Sequence, residues 1–419
     1  MRTALRRLAS LNLLANRYPA LHGLRVLAIV AVVQIHVTKT LVGAGVAPSP
    51  WLADASKRVY FGMDLFFVLS GFLIGAALLH AMESERSVGA FGRFYVRRAL
   101  RTFPLYYAVL AALVLLTSPS EAQRASLPAE FLYVSNYGAY GHVRRIMPWA
   151  WSLCVEEHFY LLAPLLLLLL SRLETHRARL SLLGGLWLAG LGVRLAVILG
   201  HGGPWARGEL LSTVYVQSHT RFDLLVAGIA LAYLQRHFAP RLRALAARPA
   251  VRAACLALSA LAFAALAVPA MGIAGRQISA AFTWGTISSV AYAPLILLAL
   301  NTAGPSVRLL GRPIFLRAAT LGYGVYLVHL PVLKALVVPA ARVAARAGLD
   351  ADLTWVLGLG GGLALSFAVA YALHLIVEKP VLALRDRVAP GAVTPGAAAG
   401  LRAASFGPAS PASMRGAAT

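Results

Sequence analysis

The stretch Trp151–Leu170, WSLCVEEHFYLLAPLLLLLL, sets the tightest limit on what this chain can become. Two adjacent glutamates and a histidine stand at the mouth of an apolar run long enough to enter a bilayer. An ionised side chain at the centre of such a helix costs roughly 2.5–3.5 kcal/mol on insertion scales. Lipid cannot face these groups, and a soluble core seldom holds such a run. Glu156, Glu157 and His158 are therefore expected to face a polar cavity inside a membrane protein.

The rest of the chain agrees. Hydrophobic residues make up 59% and charged residues 13% of the 419, and the mean hydropathy is +0.72. Apolar segments near the ~20 residues that cross ~30 Å of hydrocarbon fall at about 22–42, 62–81, 102–118, 152–170, 180–200, 221–236, 251–271, 278–300, 319–340 and 353–378. The third is short, and the sixth carries Arg221 and Asp223. Runs such as LLAPLLLLLL do not alternate, which excludes barrel strands. The expected fold class is all-α: a polytopic integral-membrane helical bundle of about ten transmembrane helices.

The net charge of +24 invites a nucleic-acid partner, but its distribution argues for topology instead. With the N-terminus in the cytosol, the inner segments carry more than twice as many Lys and Arg as the outer ones, as the positive-inside rule requires. Attraction to anionic membrane lipids follows as a by-product, and no nucleic-acid partner is expected. An even number of spans places both termini in the cytosol and the chain in the cell membrane. Cys154 and Cys255 make neither a disulfide framework nor a zinc site. The basic segment 1–21 is read as cytosolic and the first apolar run as a retained span. Residues 381–419, rich in Ala, Gly, Pro and Ser from about Ala389, are read as a disordered cytosolic tail.

Several polar residues within the spans call for partners. Arg25 and His36 are eleven residues apart, close to three full turns, so they share one face of the first helix. Singly, each fits a bland role: a snorkelling arginine or an interhelical histidine bond. Arg97, Arg98 and Arg101 have i,i+3 and i,i+4 spacing and should form a basic ridge at the cytosolic side, suited to phosphate oxygens. Pro104 should start or bend the third span. Asp64, with Gly71 and Gly75 near its face, enters from the outer side, as do Glu156, Arg221 and Asp223. The glycines are expected to pack helices closely. Tyr160 shares a face with Glu156, while Glu157 points about 100° away. His329 lies about ten residues into its span. His36, Asp64, Glu156, Glu157, His158, Arg221, Asp223 and His329 are thus expected to gather in the outer half, with Arg25 and the ridge in the inner half.

The segments GLRVLAIVAVVQIH, GMDLFFVLSGFLI, FYVRRALRTFPLYY, WSLCVEEHFYLLAPLLL, RFDLLVAGIAL, LGYGVYLVHLPV and the closing VEKP occur in series over residues 22–380. In that series the chain resembles acyltransferase family 3, the integral-membrane O-acyltransferases of O-antigen and exopolysaccharide. The family's arginine and histidine separated by ten residues map onto Arg25 and His36. Its arginine motif maps onto Arg97, Arg98 and Arg101. His22 replaces a common aspartate, and His158 a common glutamine, which puts the acceptor choice at His158 in question.

The resemblance implies a membrane acyltransferase domain over 22–380. It would transfer an acyl group, usually acetyl, from cytosolic acyl-CoA to a hydroxyl of a carbohydrate or glycolipid. CoA phosphates would dock on Arg25, Arg97, Arg98 and Arg101. His36 would act as general base or transient acyl carrier, with Glu156 or Glu157 fixing its tautomer as in a triad. Asp64, His158, Tyr160, Arg221, Asp223 and His329 would support the site or the acceptor. No bound cofactor or metal is expected, because a thioester is already activated. The rival class is a transporter or flippase that uses the same buried ions as a proton or substrate path.

Overall fold

The computed structural model describes residues 11, 17–84, 88–137, 145–203, 205–267 and 278–390, and every regular element among them is helical. The long helices are α1 (Pro19–Gly43), α2 (Gly62–Ser84), α3 (Val88–Thr117), α4 (Trp151–Arg172) and α5 (His176–Leu199). They continue as α6 (Phe222–Ala247), α7 (Pro249–Ala267), α8 (Ser288–Asn301), α9 (Pro313–Val332) and α10 (Ala351–Leu373). The tail read as disordered, 381–419, lies mostly outside the described residues, which end at 390 and are helical over Lys379–Val388. The segment read as cytosolic at the N-terminus lies mostly outside them too.

Among the described residues, nine helical stretches are long and apolar enough to cross a membrane. The expected sixth span is the exception. It forms α6, a 26-residue helix, but Asp223 opens it, and Gln235, Arg236 and His237 interrupt its apolar run. Pro104 neither starts nor breaks α3, which runs unbroken from Val88 to Thr117 around it. Such a proline is tolerated in a membrane helix where neighbours satisfy the freed carbonyl.

α2 and α6 form the tightest crossing in the bundle. A Cβ on Gly71 would lie 2.1 Å from the Leu225 carbonyl oxygen, and one on Gly228 would lie 2.3 Å from that of Val68. Neither position admits a side chain. The expectation that the α2 glycines serve packing is met, and the crossing fixes Asp64 of α2 against the start of α6. α9 is held between α1 and α10. Past Val332 it continues through a π-helical turn, Leu333–Val337, a distortion frequent near functional sites.

Two connecting segments fold back onto the helices. The stretch Leu127–Tyr137 lies along α3, where the Tyr106 and Tyr107 hydroxyls donate to the carbonyls of Glu130 and Phe131 at 2.9 and 2.8 Å. Asn136 ties it to the second segment by donating to the Val216 carbonyl at 3.1 Å. Glu130 closes the loop from within, accepting the N–H groups of Ile146 (2.6 Å) and Met147 (3.1 Å) and the Ser126 hydroxyl (2.9 Å). Burial pushes this carboxyl above its ordinary range, while those donors pull against the shift. The loop delivers Trp149 to the mouth of α4.

Candidate active site

A polar column runs along one face of α4. Ser152, Glu156 and Tyr160 recur at i, i+4 and i+8 and are all buried, so they stack on one side of the helix. At the upper end the Tyr326 hydroxyl of α9 meets Ser152 at 2.6 Å and donates to the Trp149 carbonyl. One turn further along α9, the fully buried His329 lies edge-on to the Trp149 ring at 6.4 Å. Its Nε2 is 3.1 Å from Nδ1 of His36 on α1. The ring centroids are 4.9 Å apart and tilted by 47°.

The tautomers follow from two carbonyls. Nδ1 of His329 lies 2.6 Å from the Tyr326 oxygen, and a carbonyl only accepts, so Nδ1 carries the proton. In the neutral ring Nε2 then offers a lone pair, which Nδ1–H of His36 meets. That same N–H lies 2.9 Å from the Val32 carbonyl. Nε2 of His36 is left with a lone pair for chemistry.

Lower in the column, the Tyr160 hydroxyl donates to Glu156 Oε2 at 2.8 Å and meets Ser70 of α2. The Arg98 guanidinium lies over the Tyr160 ring, 3.7 Å from its centroid, within the range of a cation–π contact. Its Nη2 is 3.6 Å from Glu156, and its Nε is 3.9 Å from Glu157. Arg25 of α1 lies within charge range of Arg98, Arg101, Glu156 and Tyr160. Oε1 of Glu156 is buried without a hydrogen-bond partner.

Four expectations are corrected here. The glutamates do not orient His36: Glu156 is tied to Tyr160 and Arg98, Glu157 faces Arg98, and His329 takes the orienting position. The arginines do not form one ridge. Arg97 reaches outward to Asp386 at 3.2 Å and to the Ala389 carbonyl, Arg98 turns inward to the glutamates, and Arg101 lies within charge range of Glu378. Helical spacing aligns Cα atoms, but long side chains follow their counter-charges.

The third correction concerns the outer pool, whose acids are taken up in two neighbouring ion pairs. Asp64 and Arg221 form a fully buried ion pair, with Arg221 also donating to the Trp284 carbonyl and lying over the Tyr215 ring at 4.7 Å. Asp223 pairs with Arg194 through both carboxylate oxygens at 2.9 and 2.7 Å. Arg194 also donates to the carbonyls of Ala281 and Thr220 and to Thr286, so all five of its N–H groups are used. These pairs lock helices and leave little to bind an acceptor. Fourth, His158 stands on the opposite side of α4 from the column. Its Nδ1 meets Ser218 at 2.6 Å, and Asn136 holds that same hydroxyl at 2.9 Å.

Sequence reasoning left Arg194 without a partner and passed over Tyr326, Trp149 and Glu130. Arg194 was findable, since an arginine in mid-span demands a buried acid. Tyr326 is set three residues before His329, one turn away on the same helix.

Together the fold and the column define a multi-pass α-helical membrane protein with a histidine pair and an arginine–carboxylate cluster buried along one face of a helix. A family model described as an acyltransferase domain matches residues 18–375, and the chain belongs to acyltransferase family 3. Among curated proteins it is similar to the peptidoglycan O-acetyltransferase OatA of Listeria monocytogenes, 32% identical over 232 residues, which covers 52% of this chain and 34% of the relative. It is also similar to the putative peptidoglycan O-acetyltransferase YrhL of Bacillus subtilis, 28% identical over 236 residues, covering 52% and 33%. A putative O-acetyltransferase of Staphylococcus aureus is 27% identical over 230 residues, covering 52% and 34%. The chain thus spans about a third of the length of these relatives. No solved structure matches it.

Proposed function

We propose that the protein is a membrane O-acyltransferase that moves an acyl group, in the first instance acetyl, from acyl-CoA to a hydroxyl of a carbohydrate or glycoconjugate. The observation that carries this reading is the polar column. It joins an arginine cluster (Arg25, Arg98, Arg101) at one level of α1 and α3 to the lone pair of His36 Nε2 at the other. The family supports the acyl chemistry, and the relatives' names support acetyl.

In this reaction the donor's phosphates meet Arg25, Arg98 and Arg101, and its thioester arm lies along the α1 face that ends at His36. His36 Nε2 takes the proton of the acceptor hydroxyl as the oxygen attacks the thioester carbonyl. The tetrahedral intermediate collapses, the C–S bond breaks, and the proton returns to the departing thiolate. If His36 attacks first, the C–S bond breaks and the CoA thiolate leaves as an acyl-imidazole forms; the acceptor oxygen then displaces the imidazole, and its proton passes to the thiolate. Both routes need the same tautomer. Glu156 and Tyr160 act one level below, holding Arg98 in place. The donor approaches from the cytosol, where both termini lie, in the cell membrane.

The test uses membranes containing the protein with acetyl-CoA. Free CoA should appear only when an acceptor glycan is added, and His36→Gln should stop its release while the protein remains in the membrane. Undiminished release by His36→Gln would remove His36 from the reaction. Acceptor movement across the bilayer without CoA release would favour a transporter. Comparing the masses of surface glycans from cells with and without the protein would identify the acceptor.

A further inference from the structure

Away from the polar column, α1 and α8 enclose a groove with two unlike ends. At the N-terminal end of α1 is a cavity of about 450 Å³, lined among others by Arg17, Tyr18, Ala20, Ala299, Leu300 and Arg308. None of the described residues that line it is acidic. Further along the same helices lies a second cavity of about 250 Å³, lined by Leu24, Leu27, Ala31, Tyr292, Leu295 and Ile296 among others. It is almost wholly apolar.

The two cavities follow one another along the same pair of helices. On α1, positions 20, 24, 27, 28 and 31 recur every three to four residues and form one stripe. On α8, positions 292, 295, 296, 299 and 300 do the same. The order is antiparallel, with Ala20 beside Ala299 and Leu300 in the basic cavity and Ala31 beside Tyr292 in the apolar one. Arg25 and His36 point about 115° and 135° around α1 from the middle of this stripe, so the groove faces away from the column. It opens sideways, with Leu27 half exposed.

We propose that this groove binds one anionic phospholipid, its phosphate on Arg17 and Arg308 and one acyl chain along Leu24, Leu27 and Ala31. Charge and depth both point to a bilayer lipid. A phosphate would find two guanidinium groups without an acidic competitor. α1 starts at the same place with no side-chain cap, so the positive end of its dipole faces the same volume. From Ala20 to Ala31 the helix rises about 16 Å, roughly half of a ~30 Å hydrocarbon core. That is the depth of a single leaflet, and a free phosphate has no use for the apolar half.

The test is native mass spectrometry of the purified protein offered equal amounts of phosphatidylglycerol and phosphatidylcholine. The wild type should retain phosphatidylglycerol in preference. Arg17→Gln with Arg308→Gln should lower that retention about tenfold or more, as two interfacial charges are removed. Arg17→Lys with Arg308→Lys should restore most of it, which separates lost charge from misfolding. Leu27→Trp, at a half-exposed site, should lower retention by blocking the chain. Equal retention by the Gln pair would overturn the proposal. So would displacement of the lipid by glycerol phosphate at equal concentration, which would mark a free-anion site. Finding a lipid-linked sugar in place of phospholipid on protein taken from cells would also overturn it, and make the groove an acceptor site.

Discussion

Nε2 of His329 faces Nδ1 of His36 at 3.1 Å while the Tyr326 carbonyl holds the far side of the His329 ring at 2.6 Å. The second imidazole does for the first what a carboxylate does in a hydrolytic triad: it fixes the tautomer and accepts the N–H. It does so without a buried negative charge, which would be costly at this depth. The two α9 residues involved, Tyr326 and His329, lie one helical turn apart, so a single helix supplies both the histidine and its anchor.

His36→Gln should lower turnover by about 100- to 10,000-fold, the range of a lost general base, while membrane insertion persists. His329→Ala should also impair turnover, because His36 Nδ1–H would then be shared only with Val32. His329→Gln should fall between His329→Ala and wild type, since its side-chain carbonyl can still accept that N–H. Single-turnover acyl transfer, normalised to folded protein, measures all three. Wild-type rates in His329→Ala would remove the second ring from the mechanism.

The three arginines of α3 should separate in their effects. Arg98→Lys keeps a charge but loses the planar face over Tyr160 and the fork toward the glutamates. It should weaken the apparent affinity for acyl-CoA, as should Arg101→Lys. Arg97→Ala should leave that affinity nearly unchanged, because its pair with the half-exposed Asp386 resembles surface ion pairs worth about 0–1 kcal/mol. Equal losses from all three variants would restore a continuous ridge. The readout is initial rate against acyl-CoA concentration.

The bundle, its polar residues and the shared face of Arg25 and His36 were legible because insertion cost and helical period act on the chain locally. The pairing of those residues was not. Asp64, Arg221 and Asp223 all enter from one side, and the sequence carries nothing to say that Arg194, on another helix, claims Asp223. His158 follows Glu157 directly, yet one residue turns a helix by about 100°, and two such steps from Glu156 carry it across α4 to Ser218. Pro104 reads as a start or a bend, but the helix begins about four turns earlier, at Val88, and runs continuously through it.

Arg194 and Asp223 should behave as a stability pair rather than as part of the chemistry. Removing one partner leaves a buried charge uncompensated, at a cost of about 3–5 kcal/mol. Arg194→Met and Asp223→Leu should each lower the melting temperature and yield of detergent-solubilised protein. The double variant should recover part of the loss, because no lone charge remains. Gly285→Ala should mimic the single variants: its φ is +155°, and a Cβ would lie 2.5 Å from Asp223 Oδ2 and 2.6 Å from Arg194 Nη1. A double variant less stable than either single one would argue that the pair contributes more than mutual neutralisation. Thermal melts of the four proteins decide this.

The same pair bears on topology. Among the described residues nine stretches are apolar enough to cross by themselves, and nine crossings would put the two chain ends on opposite sides of the membrane. α6 falls short through its polar ends, but Asp223 at one end is neutralised by Arg194, whose remaining N–H groups donate to Ala281, Thr220 and Thr286. Its middle, LLVAGIALAYL, is apolar and packs closely on α2 through Gly228. We propose that a helix so shielded crosses with its neighbours rather than alone, which would give ten crossings and put both ends on the cytosolic side. Tags placed at residue 2 and after residue 390 should both resist proteases and impermeant labels in intact cells and become reactive on permeabilisation. In Arg194→Met, where the lone Asp223 opposes insertion of α6, some of the C-terminal tag should become accessible from outside. Labelling of the C-terminal tag from outside in the wild type would show that α6 does not cross.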